Sequence, residues 1–210
     1  MSYMFHFPNL KWTALQAESI GVPLLTQETE GVKEEELADL EQALANAKSR
    51  FGVEGIYTGA LASVYQKTRV EKICGRLSLK CISPLWGVVP EVHLRRLVSE
   101  GFAVIMVSVS ALGLDQTWLG RRLDGPSIDE LVALGRRFRF HVGLEGGEGE
   151  TFVLDAPFFS KRIEILSSER HWIGDSGYLE ITDAALVPKA MREEAASSRG
   201  PDQQSSTALP

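Results

Sequence analysis

Cysteine is scarce in this chain. Cys74 and Cys81 are the only two, and their spacing fits neither a metal-binding nor a redox C-x-x-C pattern. They read as buried structural thiols, which makes a reducing cytoplasm the expected setting. The four histidines, His6, His93, His141 and His171, form no metal-ligand spacing, so no structural metal is expected. No apolar run approaches the length of a membrane span. The start, Met1-Ser2-Tyr3-Met4-Phe5-His6, lacks the basic, apolar and small-residue order of a signal peptide. Basic residues are outnumbered, 22 Lys and Arg against 28 Asp and Glu, for a net charge of −6. That balance argues against charge-driven nucleic-acid binding. The pairs Arg95-Arg96, Arg121-Arg122 and Arg136-Arg137 read as solvated helix faces.

What is present suits a folded protein. The 210 residues are 44% hydrophobic and 24% charged, enough for one large domain or two small ones. Leu37, Leu40, Leu44 and Ala47 recur at helical spacing and predict a helix over 33–50, with acidic residues at its N-terminal end. A short strand is expected in 55–59. A helix follows from Ser63, where Ser63 and Gln66 have capping-box spacing. A short run at 79–82, a helix near 91–99 and a strong strand at 103–109 come next. Ser127 and Glu130 form a second capping-box pattern after Pro126, opening a helix to about Phe138. Strands are expected at 151–154, 162–166 and 178–182. The alternation predicts an α/β fold with a parallel sheet and an appended β-rich unit. Turn residues near 86–90 suggest a boundary, giving units of 1–88 and 89–187. Residues 188–210 read as a disordered tail.

Two stretches carry chemistry. Glu145-Gly146-Gly147-Glu148-Gly149-Glu150-Thr151 packs three carboxylates and three glycines before an apolar strand. Glycines permit positive φ and close approach, and crowded carboxylates call for a cation or a proton among them. A solvated acidic turn is the alternative. Gly59-Ala60-Leu61-Ala62-Ser63-Val64-Tyr65-Gln66-Lys67-Thr68-Arg69 joins a strand to a helix. In parallel sheets ligands bind at the carboxyl ends of strands, where a helix N-terminus offers N–H groups to an anion. Here Ser63 and Gln66 have the alternative of serving only as a cap, and Arg69 that of pairing with neighbours.

These stretches belong to a longer pattern. Ser2–His6, Gly59–Ser63 with Tyr65-Gln66 and Arg69-Val70-Glu71, Pro84-Leu85-Trp86, Val109–Ala111 with Gly113–Asp115, Trp118–Arg121, and Glu145–Glu148 with Glu150-Thr151 follow one another in the order and spacing of a known family. The chain resembles the diphthine–ammonia ligases, of the N-type ATP-pyrophosphatase group, over nearly all of residues 1–187. The resemblance implies a nucleotide-binding parallel-sheet domain of the HUP, adenine-nucleotide hydrolase-like type, followed by a smaller α/β domain. It implies ATP-dependent amidation of diphthine on elongation factor 2 by ammonium, giving diphthamide, AMP and pyrophosphate, with Mg2+ accompanying ATP. A homo-oligomer is compatible with it; nucleic acid and membrane are not expected partners.

By the same resemblance, Gly59, Ala60, Ser63, Gln66 and Arg69 would bind ATP. Glu145, Gly146, Gly147, Glu148, Glu150, Thr151, Trp118, Arg121 and Asp115 would bind the acceptor. Diphthine carries a trimethylammonium group beside its reacting carboxylate, which suits carboxylates with Trp118 or Trp86 as an aromatic wall. Glu148 or Glu145 would take a proton from ammonium. One family element, a Ser-Gly-Gly-Lys-Asp-Ser loop that grips pyrophosphate, is absent. It is expected upstream of Met1 if the start is assigned late; otherwise the chain is an N-terminally truncated descendant. The competing readings are a related ligase with another acceptor and a nucleotide-binding remnant without catalysis.

Overall fold

Two sheets of opposite sense organise the chain. A computed structural model describes residues 9–30, 34 and 36–189. Ser2–His6 and the tail from 190 onward lie outside the described residues. A left-handed Asn9 and a 3-10 turn at Leu10–Trp12 lead into α1 (Thr13–Ile20). Then come α2 (Glu36–Phe51), β1 (Gly55–Tyr57), α3 (Val64–Leu77), β2 (Lys80–Ile82) and α4 (Pro90–Ser99). The remainder is β3 (Ala103–Val109), α5 (Gly125–Phe138), β4 (Gly149–Asp155), β5 (Arg162–Ile173) and β6 (Ser176–Val187). Among the described residues no helix is long and apolar enough to cross a membrane.

β1, α3 and β2 form a β-α-β unit in which Ile56 pairs with Cys81 in a parallel ladder. Helix α3 starts where the sequence places it: the Ser63 hydroxyl accepts from the Gln66 N–H at 3.3 Å. It buries Ile73 and Cys74 and lies beside α2, to which Arg76 is tied by a fork on Glu41 at 2.5–3.1 Å.

The expectation of one parallel sheet holds only for this pair. The remaining strands make an antiparallel sheet of order β4-β3-β6-β5. Apolar content marks β3 as a buried strand but carries no information about the direction of its neighbours. Direction is decided by the chain after α5, which brings β4 back against β3 with Gly149 opposite Val109 and Ala103 opposite Asp155. β5 and β6 also run well past the expected 162–166 and 178–182. On β5 the extension is mainly polar over 167–171, so apolar content falls while pairing continues to a turn at Gly174; on β6 the apolar end 184–187 is strand because it pairs with 162–165.

β6 touches β3 only through Ser108↔Tyr178 and Val109↔Gly177. Beyond that point the two edges are satisfied separately. Segment 120–123 pairs with β3, Gly120 N–H donating to Met106 at 2.8 Å and Leu123 N–H to Val104 at 2.8 Å. On β6, the Asn9 amide bonds the Leu179 carbonyl (2.9 Å) and the Ile181 N–H (2.7 Å), and the Trp12 indole donates to Ile181. Helix α1 rests on the same sheet, with Ser160 N–H donating to the Ser19 carbonyl at 2.8 Å.

α4 and α5 pack on β3 through Leu94, Ile128 and Leu131. α5 begins at Gly125, two residues before the expected Ser127. Its N-cap is Asp124, whose carboxylate accepts from the Ser127 N–H (2.8 Å) while the Ser127 hydroxyl accepts from the Asp124 N–H (2.7 Å). Ser127 is thus the inner member of the box rather than its cap. Pro126 sits in the first turn, where no N–H is needed.

Candidate functional site

The acidic loop folds on itself before it meets anything else. The Glu148 carboxylate accepts from the main-chain N–H of Gly146 at 2.6 Å and of His141 at 3.1 Å. The Glu148 carbonyl accepts from Ser110 (2.8 Å) and Ala111 (3.1 Å), strapping the loop to the end of β3. The Ser110 hydroxyl bonds the Gly147 carbonyl. Glycine suits this compactness at two positions. Gly147 has φ +84, and a Cβ on Gly146 would stand 2.6 Å from the Glu148 carboxylate.

Glu145 reaches across to the other motif. Its carboxylate accepts from the main-chain N–H of Leu61, of Ala62 at 2.5 Å and of Ser63 at 3.1 Å. These are unpaired donors at the start of α3, where the helix dipole favours negative charge. The two stretches singled out in the sequence therefore meet, along a cavity of about 750 Å³. Gly59, Ala60, Gln66 and Lys67 line one side, and Glu145, Gly147, Glu150 and Thr151 the other.

Residues 1–81 match the family model of the diphthamide synthase N-terminal domain, and residues 90–187 that of the diphthamide synthase C-terminal domain. The chain is 37% identical over 180 residues to diphthine–ammonia ligase of Homo sapiens, covering 80% of this chain and 67% of that protein. With the Rattus norvegicus enzyme the identity is 32% over 217 residues, covering 98% and 81%. With that of Schizosaccharomyces pombe it is 34% over 194 residues, covering 86% and 32%. The chain belongs to the diphthine–ammonia ligase family.

In this member of the family the cavity runs between the parts matched by the two domain models. Gly59 merits attention within it. Its φ is not positive, and nothing lies within 4 Å of the place a Cβ would take. Among the described residues no part of the polypeptide demands glycine there, and the approach to its backbone is open. Arg69 faces elsewhere: its guanidinium pairs with Glu34 and stacks on Tyr65, 3.5 Å from the ring centroid. Lys67 stands 4.2 Å over the Trp86 ring and 3.7 Å from Glu71.

Asp115, Trp118 and Arg121 are not brought to the cavity. Trp118 is 1% exposed and packs in the core. Arg121 lies 4.3 Å over its ring and pairs with Glu130 at 2.6 Å. Asp115 caps the 3-10 turn Gln116–Trp118, and hydrogen bonds from the Thr117 hydroxyl and N–H hold its carboxyl below the usual range. Among the cavity residues that sequence reasoning left unassigned is a histidine, His93 on α4. Burial, and then Arg96, lowers its pKa from the ordinary value and favours the neutral ring. A lone histidine on a helix face carries no spacing signal that would have marked it. Cys74 is buried on α3, and its thiol is pushed up to about 11 by burial and then by Cys81, which suits a structural thiol.

Proposed function

We propose that this cavity is where a carboxylate of diphthine on elongation factor 2 is amidated by ammonium at the expense of ATP, in the cytoplasm, giving diphthamide, AMP and pyrophosphate. The observation that carries the reading is the meeting of the 59–63 turn and the 145–151 loop at one cavity of nucleotide size.

The cavity's chemistry fits a nucleotide on the side of β1. Gly59 leaves an open approach at the carboxyl end of the parallel pair. Gln66 and Lys67 border it, offering donors. The N–H groups of Leu61, Ala62 and Ser63 are engaged by Glu145, so a phosphate would share or displace that carboxylate. Arg69 would have to leave Glu34 to contribute. ATP, with Mg2+ held chiefly by its phosphates, supplies the adenylate leaving group that a bare carboxylate lacks.

The acceptor side falls to the glutamate loop. A carboxylate has about four lone-pair sites. Glu145 spends three on N–H groups and Glu148 two. Glu148 therefore has more capacity left to take a proton from ammonium, and we assign it that role; it does not line the cavity, so its carboxylate would have to swing there from the Gly146 and His141 N–H groups. Glu145 holds the loop against α3. Glu150 and Thr151, on β4 at the cavity wall, receive the acceptor.

The test is to incubate the full chain with ATP, ammonium and diphthine-bearing elongation factor 2. AMP, pyrophosphate and a carboxyl-to-carboxamide mass change should appear together and fall sharply in Glu148→Gln. ATP binding without any acceptor-dependent AMP would sink the ligase reading.

A further inference from the structure

Trp118 is buried and Lys67 already occupies one face of the Trp86 ring, which leaves room for a different aromatic wall at the acceptor. The register of the antiparallel sheet supplies one. Glu150 pairs with Ser108, Ser108 with Tyr178, and Tyr178 with His171. Directly paired residues project from the same face of a sheet, so the pairing brings these four residues into one row across β4, β3, β6 and β5, with a bulge in β3 between Met106 and Ser108 beside the Glu150 pair. The row lies on the face opposite Leu179 and Ile181, which are buried in the core.

The His171 and Tyr178 rings are stacked, with centroids 4.7 Å apart and planes 20° from parallel. Because His171 lies on the β5 side, the other face of the Tyr178 ring looks toward Ser108 and Glu150. A small serine between a carboxylate and an aromatic face leaves a slot about 10 Å across, two strand spacings. The slot has further negative charge on its far side, Glu180 at 3.2 Å and Glu169 at 3.9 Å from His171 Nε2. One wall of the slot, Glu150, is also a wall of the cavity.

We propose that the Glu150–Ser108–Tyr178 slot binds the quaternary ammonium group of the acceptor, with Tyr178 as its aromatic wall. The inference rests on the reading of the cavity as the acceptor site. A quaternary ammonium has no N–H to donate, so it is recognised by carboxylate charge and aromatic faces rather than by hydrogen bonds. The slot offers both, next to the loop that would hold the reacting carboxylate. His171 acts as a positioning residue, keeping the Tyr178 ring upright by stacking.

The test has two arms on the full chain. In the first, tetramethylammonium is titrated while the Tyr178 ring resonances are followed by NMR, with tert-butanol as an uncharged control of similar shape. The ring protons of the native chain should shift with the cation and not with the alcohol. Equal shifts with both, or none with the cation, overturn the proposal. The second arm measures amidation kinetics. Tyr178→Leu should raise the acceptor KM by about tenfold with kcat and the ATP KM unchanged, while Tyr178→Phe, which keeps the ring face, stays near native. A native acceptor KM in folded Tyr178→Leu also overturns it. A native chain that fails to amidate at all defeats the functional reading, and the titration still decides the slot.

Discussion

The Glu145 carboxylate accepts a hydrogen bond from the main-chain N–H of Ala62, 83 residues earlier in the chain. With the neighbouring bonds from Leu61 and Ser63, this contact joins the start of α3 to the acidic loop. Charged acceptors on main-chain donors are among the stronger hydrogen bonds in proteins. Glu145→Ala should therefore destabilise the chain by about 2 kcal/mol in urea unfolding. Amide exchange should accelerate at residues 61–63 and not at β5. Unchanged exchange at those amides would show that the contact contributes nothing in solution.

Gly146 and Glu148 should be energetically coupled. A methyl group on Gly146 meets the Glu148 carboxylate, while φ at Gly146 is not in the left-handed region. Gly146→Ala alone should destabilise by about 1 kcal/mol, because the Glu148 carboxylate must swing aside and loosen its hydrogen bonds to Gly146 and His141. In a Glu148→Ala background most of that cost should vanish, because the clashing group is gone. Additive effects in the double-mutant cycle would place the strain in the backbone instead.

Acid should loosen α5 through its cap. Hydrogen bonds from Ser127, chiefly the one its N–H donates, hold the Asp124 carboxyl below the usual range. A depressed folded-state pKa contributes stability that is present above the unfolded value, near 3.8, and is lost as pH falls through the folded value. Melting temperature measured from pH 5 downward should fall less steeply in Asp124→Asn, which caps without titrating. Parallel pH profiles would remove Asp124 from the acid response.

Trp118 should behave as a core residue. Trp118→Ala should cost about 3–5 kcal/mol, and any loss of acceptor binding should follow the loss of folded protein. A variant that keeps native stability while binding the acceptor weakly would return Trp118 to the site.

Much of this molecule was readable one segment at a time. The limits of β3, the start of α3 at Ser63 and the short strands near 55–57 and 80–82 follow from residues within a few positions of each other. The α5 cap shows the limit of such reading. Asp124 and Ser127 are both good caps, and the choice was made by which one could complete a reciprocal pair around Pro126. The long β5–β6 hairpin was underread because residues 167–171 break the apolar pattern on β5, while 184–187 on β6 are marked as strand only by their pairing with 162–165.

The sequence by itself determined the family, the local elements and the two stretches that carry the chemistry, since motif spacing and side-chain periodicity are local properties of the chain. Only the tertiary structure decided what those stretches touch. It turned the second sheet antiparallel, sent Trp118 into the core, gave Arg69 to Glu34 and set Glu145 on the N–H groups of α3. It also aligned Glu150, Ser108, Tyr178 and His171 in one row. These residues stand tens of positions apart, and their meeting depends on strand register and loop closure. Both are settled by burial and hydrogen bonding summed over the whole sheet, which no short window of residues contains.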